Sequence, residues 1–140
     1  MRMSTILVVD DSRDSREPLA KLLRMDGHGV DCAGDGIEAL EAVDKRSPDL
    51  ILLDLMMPRM DGLTFLKQLR TDPKFTALPV IVLTANTDPA VVEEFATLGV
   101  HHCLTKSRFS FSELLCHVHE ELGPDGNGAS GGPRLPMWLM

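Results

Sequence analysis

Leu50-Ile51-Leu52-Leu53 is an apolar run of strand length that closes on a carboxylate, Asp54. A continuous apolar run bounded by Pro48 and Asp49 reads as a strand buried on both faces, the pattern of a parallel sheet covered by helices. Asp54 then stands at the strand's C-terminal end, the edge where open parallel sheets bind ligands. An unpaired buried charge is very costly, so Asp54 requires a cation or a chemical role.

The same unit recurs along the chain. Thr5–Val9 is a short apolar strand ending on Asp10-Asp11, and Ser12 is a candidate N-cap for a helix to about Met25. Pro18 falls inside that helix, where it is expected to kink it or delay its start. Val30–Ala33 forms a weaker strand, Gly34-Asp35-Gly36 turns into a helix to about Arg46, and Leu50–Asp54 follows. Gly62–Thr71 is a third helix, with Leu63, Leu66 and Leu69 inward, and Asp72–Pro79 is a loop. Val80–Leu83 is the fourth strand and ends on Thr84-Ala85-Asn86. Asp88-Pro89 starts a helix that stops at Gly99. Val100–Thr105 is the fifth strand, ending on Lys106, and Ser110-Phe111-Ser112-Glu113 has capping-box spacing for a last helix to about Leu122. Repeated βα units force parallel strands with right-handed crossovers. The expected fold is therefore α/β, a three-layer sandwich of five parallel strands and five helices. Residues 1–122 form this domain, and residues 123–140, mostly Gly, Pro and small polar residues before Met137-Trp138-Leu139-Met140, read as a flexible tail.

Composition narrows the function. At 140 residues the chain suits one domain. The net charge of −7 and pI near 5.1 argue against nucleic acid or an anionic membrane surface as a direct partner. No apolar run approaches the ~20 residues of a membrane span. Cys32, Cys103 and Cys116 are odd in number and dispersed, which suits a reducing cytoplasm. Cys103 and Cys116 read as small core hydrophobes, and Met56, Met57 and Met60 as packing around the turn. His101 and His102 face opposite sides of a strand, and His117 and His119 are two apart on a helix. Neither pair converges on a metal.

In a parallel sheet, Asp10, Asp11, Asp54, Thr84 and Lys106 all fall on one edge. Carboxylates ~4 Å apart repel by about 4 kcal/mol at an effective dielectric of about 20. A hard divalent cation relieves this, and oxygen donors with partial hydration describe Mg²⁺.

Val8-Val9-Asp10-Asp11-Ser12, Asp54 with Met57-Pro58 and Asp61-Gly62, Leu83-Thr84-Ala85, and Lys106 occur in order, each ending the appropriate strand. In these motifs, over about Ser4 to Leu122, the chain resembles the receiver domain of bacterial two-component response regulators, in the stand-alone form of the chemotaxis regulators. The resemblance implies a flavodoxin-like sheet of order 2-1-3-4-5. It implies Asp54 as phosphoacceptor, attacking the phosphorus of a phosphohistidine. It implies Mg²⁺ bound by Asp11 directly, by Asp10 largely through water, by Asp54, and by the main-chain carbonyl of Met56. Lys106 pairs with a phosphoryl oxygen, the Thr84 hydroxyl bonds another as a switch, and small Ala85 leaves access to Asp54. Met56 and Asn86 flank the path of attacking water and tune dephosphorylation.

The implied partners are a histidine kinase or histidine phosphotransfer protein and a downstream protein target. The face of the fourth helix, fifth strand and fifth helix offers a homodimer contact. The chain departs from the family pattern at Cys103, where an aromatic is usual, and at Ser107, where a proline behind a cis bond is usual. A cis bond before a non-proline residue costs about 2.5–4 kcal/mol, so either a strained Lys106–Ser107 bond or a rearranged loop is expected. These departures raise an alternative, a binding module of the same fold with little or no phosphorylation switch.

An enzyme acting on external substrates is disfavoured. The related phosphotransferases carry an aspartate two residues after the nucleophile, and Met56 stands there. Only self-phosphorylation and slow autodephosphorylation remain. No G-x-G-x-x-G follows the first strand, which disfavours a flavin or dinucleotide carrier.

Overall fold

A computed structural model describes residues 4–54, 60–85, 88–106 and 108–123. Five strands, β1 (Thr5–Val9), β2 (Gly29–Ala33), β3 (Leu50–Asp54), β4 (Val80–Thr84) and β5 (His102–Thr105), form one parallel sheet in the order 2-1-3-4-5. Five helices alternate with them: α1 (Arg13–Met25), α2 (Gly36–Lys45), α3 (Gly62–Thr71), α4 (Pro89–Thr97) and α5 (Phe111–Leu122). The expected topology and three-layer arrangement are borne out.

Strand residues alternate between the two faces of a sheet, and the core divides accordingly. Leu7, Val9, Ile51, Leu53, Val80 and Val82 pack with Ala39 and Val43 of α2, Phe65, Leu66 and Leu69 of α3, and Phe95 of α4. Ile6, Val8, Leu50, Leu52, Ile81, Leu83 and Leu104 pack with Leu19 and Leu23 of α1 and Leu114, Val118 and Leu122 of α5. Because both faces of β1, β3 and β4 are covered, those strands are buried at every position and apolar except at Thr5, Asp54 and Thr84.

Side chains cap all five helix N-termini, satisfying backbone donors that have no partner inside the helix. Ser12, Asp88 and Ser110 act as read from the sequence, accepting from the N–H groups of Ser15, Ala90 and Glu113. Asp35 and Asp61 cap α2 and α3 through Glu38 and Thr64, at 2.9 and 2.8 Å. Pro18 does not delay α1, which begins directly after Ser12.

Three local expectations are corrected. β5 begins at His102 rather than Val100. The N–H groups of Gly99 and Val100 close the end of α4 on the carbonyls of Ala96 and Phe95, with Gly99 at φ +82°. This is a Schellman closure, and it engages the backbone of Val100 before the sheet can. The Asp72–Pro79 connection contains a 3-10 turn, Pro73–Phe75, capped by Asp72 and anchored by the buried Phe75. Cys116 is exposed on α5 rather than in the core, whereas Cys103 packs half-buried against the α2–α3 layer. No helix among the described residues is long and apolar enough to cross a membrane.

Candidate functional site

Sheet register brings the polar strand ends together. Val9 pairs with Leu53, Asp54 with Leu83, and Thr84 with Thr105, so Asp10, Asp54, Thr84 and Lys106 fall at neighbouring positions along the carboxyl edge. Asp10, Asp54 and Thr84 are buried there at 2%, 5% and 1% exposure. Asp11 and Ala85 are exposed at its rim.

Lys106 reaches into this cluster. Its Nζ donates to Asp54 Oδ2 at 3.2 Å and lies 3.3 Å from Asp10 Oδ2. Its main-chain N–H donates to the Thr84 carbonyl at 2.8 Å, which sets the position from which the side chain extends. Burial pulls the pKa of Lys106 down, but the charges of Asp10 and then Asp54, with their contacts, outweigh it and the net shift is upward. The lysine is thus held in its charged form.

Asp10 is fixed from three sides. Its N–H donates to the Ala33 carbonyl, its Oδ1 accepts from the Ser12 N–H at 2.9 Å, and its carbonyl accepts from Arg16 Nη1 at 2.9 Å. Sequence reading did not single out Arg16. Its spacing, six residues after Asp10 on the first turns of α1, was the available signal. The remaining oxygen, Asp10 Oδ2, is buried without a hydrogen bond among the described residues, at ion-pair distance from Lys106 but not in donor geometry. Carboxylate oxygens of Asp10, Asp11 and Asp54 lie within 4.8 Å of one another. Three carboxylates facing one lysine leave net negative charge, and among the described residues a buried oxygen still lacks a hydrogen-bond donor. That donor set is all oxygen, and it fits a hard cation such as Mg²⁺.

Cys103 sits on β5 opposite Val82, half-buried, and burial raises its thiol pKa. Met56, Asn86 and Ser107, with the Lys106–Ser107 peptide, lie outside the described residues.

The family model of the response regulator receiver domain matches residues 6–119. The response regulator MprA of Mycobacterium leprae is 44% identical over 115 residues, covering 81% of this chain and 48% of that protein. The chain therefore spans about half the length of such curated relatives. Among solved structures, the chemotaxis protein CheY4 of Vibrio cholerae is 33% identical with a TM-score of 0.79, covering 85% of this chain and 98% of that one. A chain of the CheX–CheY–BeF3–Mg complex from Borrelia burgdorferi is 27% identical with a TM-score of 0.77, covering 84% and 87%.

Proposed function

The chain belongs to the response regulator receiver domain family of two-component signalling, and on that premise we propose that it accepts a phosphoryl group on Asp54 from a histidine kinase or histidine phosphotransfer protein. The observation that carries this reading is the placement of Lys106 Nζ at 3.2 Å from Asp54 and 3.3 Å from Asp10 in a cluster of three carboxylates. One oxygen of Asp54 attacks phosphorus, the phosphorus–nitrogen bond to the donor imidazole breaks, and the imidazole leaves with that electron pair. Lys106 then pairs with a phosphoryl oxygen in place of the carboxylate. Little covalent chemistry is asked of the protein, because phosphoryl transfer depends chiefly on positioning and charge stabilisation.

Asp10, Asp11 and Asp54, with the main-chain carbonyl of Met56, would hold Mg²⁺. When bound, the ion neutralises charge on the carboxylates and the incoming phosphoryl group. The Borrelia complex, which contains BeF3 and Mg²⁺, lends analogy to this assignment.

The phosphoryl group adds about −1.5 to −2 charges. Thr84, buried at the end of β4, would turn its hydroxyl toward that group, and Ala85 beside it leaves the approach open. This movement would change the surface around α4, β5 and α5, which downstream proteins or a second copy would read. Asn86 and Met56 would set the lifetime of the acyl phosphate. The chain would have no turnover on external substrates beyond self-phosphorylation and slow hydrolysis. Its three free cysteines suit a cytoplasmic setting.

One observation favours a second reading. Cys103 is small and half-buried where the family usually carries a mobile aromatic, so phosphorylation would move less surface in a binding module fixed in one state. Intact-mass measurement with acetyl phosphate and Mg²⁺, beside Asp54→Asn, tests the first reading. A Mg²⁺-dependent adduct of one phosphoryl group, absent in the variant, is expected, and labelling that persists in Asp54→Asn overturns it. Partner affinity with and without beryllofluoride separates the readings, since equal affinity favours the fixed module.

A further inference from the structure

A second group of metal-ligating side chains lies apart from the acidic edge, between β5 and α5. His102 opens β5 and, like Leu104 two residues on, faces the α1–α5 layer. His117 comes from α5, between the buried Leu114 and Val118. The two imidazoles stack at 4.1 Å between centroids with 28° between planes. Glu120 Oε2 bridges them, 3.4 Å from His102 Nε2 and 3.5 Å from His117 Nδ1. Glu121 Oε1 flanks the same His102 nitrogen at 3.4 Å.

We propose that His102, His117 and Glu120 form a binding site for a borderline divalent transition ion of the zinc class. The distances lie at the long limit of hydrogen bonding. Zinc–nitrogen bonds of about 2.0–2.1 Å and zinc–oxygen bonds of about 2.0–2.2 Å in tetrahedral geometry put neighbouring donors about 3.3–3.5 Å apart. Both separations from Glu120 are of that length. The third edge, between the two imidazole donors, is no longer than 4.8 Å, and sharing one ion would require one ring to rotate out of the stack. Among the described residues His117 Nδ1 is buried without a hydrogen-bond partner, a polar atom that a metal would satisfy. Burial, with the neighbouring His117, lowers the pKa of His102 against the opposing pull of Glu120, which favours the neutral, ligating imidazole.

The other histidine group makes the contrast. Asp26 Oδ2 is 2.7 Å from His119 Nε2 and 3.0 Å from His28 Nε2, ordinary charge-assisted hydrogen bonds that leave no room for an ion between the donors. Two imidazoles and a carboxylate select zinc, copper or nickel over Mg²⁺, so this site is chemically separate from the oxygen cluster at Asp54. Water or Glu121 completes the coordination. The ion would tie α5 to β5, the strand that leads into Lys106.

The test is calorimetric titration of the tag-free, chelator-treated full chain with Zn²⁺ in excess Mg²⁺. One Zn²⁺ per chain is expected, with affinity at least about tenfold weaker in His102→Gln and in His117→Gln, and unchanged in His28→Gln. Glu120→Gln, a partly exposed change that spares the core, supplies the same readout should either histidine variant fail to fold. Cobalt substitution gives a second signature, a tetrahedral visible spectrum that these variants lose. Failure of the folded wild-type chain to take up one equivalent overturns the proposal. So does uptake that survives removal of His102, His117 or Glu120.

Discussion

Lys106 Nζ lies 3.2 Å from Asp54 Oδ2 although 52 positions separate the two residues. Nothing local sets that distance. It follows from β5 pairing with β4 and β4 with β3, which brings two strand ends to one edge. Replacing Lys106 by Met keeps the stem and removes the charge. The expected outcome is a folded protein whose labelling by acetyl phosphate slows about a hundredfold, because a preorganised cation at the transferring group is lost. Time-resolved intact mass, with circular dichroism as a folding control, measures it.

Gly36 opens α2 against the end of the segment that follows Asp54. Its N–H donates to the Met60 carbonyl at 3.1 Å. A Cβ at Gly36 would stand 2.6 Å from Met60 Cγ, 2.8 Å from its Cβ and 2.9 Å from its carbonyl oxygen. Backbone is among those atoms, so a side chain cannot simply swing away. Gly36→Ala is expected to cost about 1–3 kcal/mol in urea unfolding. Gly34→Ala is the control. Its Cβ would meet chiefly the mobile carboxylate end of Glu38, at 2.9 Å, and the cost should be under about 1 kcal/mol. Equal losses would contradict this account of the α2–α3 junction.

Arg70 of α3 donates to three main-chain carbonyls, those of Leu98, Phe75 and Leu78, each at 2.8 Å. It thereby ties the 3-10 turn and the end of α4 to α3, and burial lowers its pKa. Arg70→Met strands carbonyls that the guanidinium served. We expect a loss of about 2–3 kcal/mol in chemical denaturation. Arg70→Lys should recover little of it, because an ammonium lacks the planar fork that reaches three acceptors.

Asp26, the C-cap of α1, accepts hydrogen bonds from His119 of α5 and from His28. Burial pushes its pKa up, but the bonds from His119 and His28 and the charges they carry outweigh it, so the net shift is downward. A depressed carboxyl pKa contributes stability that is present above the unfolded value of about 3.9 and is lost as pH falls through the lower folded value. Stability measured by urea unfolding below about pH 4 should therefore fall less steeply in Asp26→Asn than in the wild type. The contribution should be on the order of 1 kcal/mol or less, since His119 is exposed. Parallel profiles would show that the pairing carries no net stability.

The alternation of strand-length apolar runs with helical stretches was sufficient to order five βα units and put Asp10, Asp54, Thr84 and Lys106 at strand ends. Each of those inferences depends on periodicity and on side chains acting on their own neighbours, as Ser12, Asp88 and Ser110 do at helix starts. Other features needed the tertiary structure. The start of β5 at His102 was decided by competition for the backbone of Val100, which the end of α4 takes before the sheet can. Cys116 is exposed because α5 turns Leu114, Val118 and Leu122 to the sheet, and composition does not reveal which face of the helix that is. The three carbonyls on Arg70 and the meeting of His102 with His117 join residues from separate elements. Short-range preferences are written into a few consecutive residues, whereas such contacts depend on the packing of helices against the sheet.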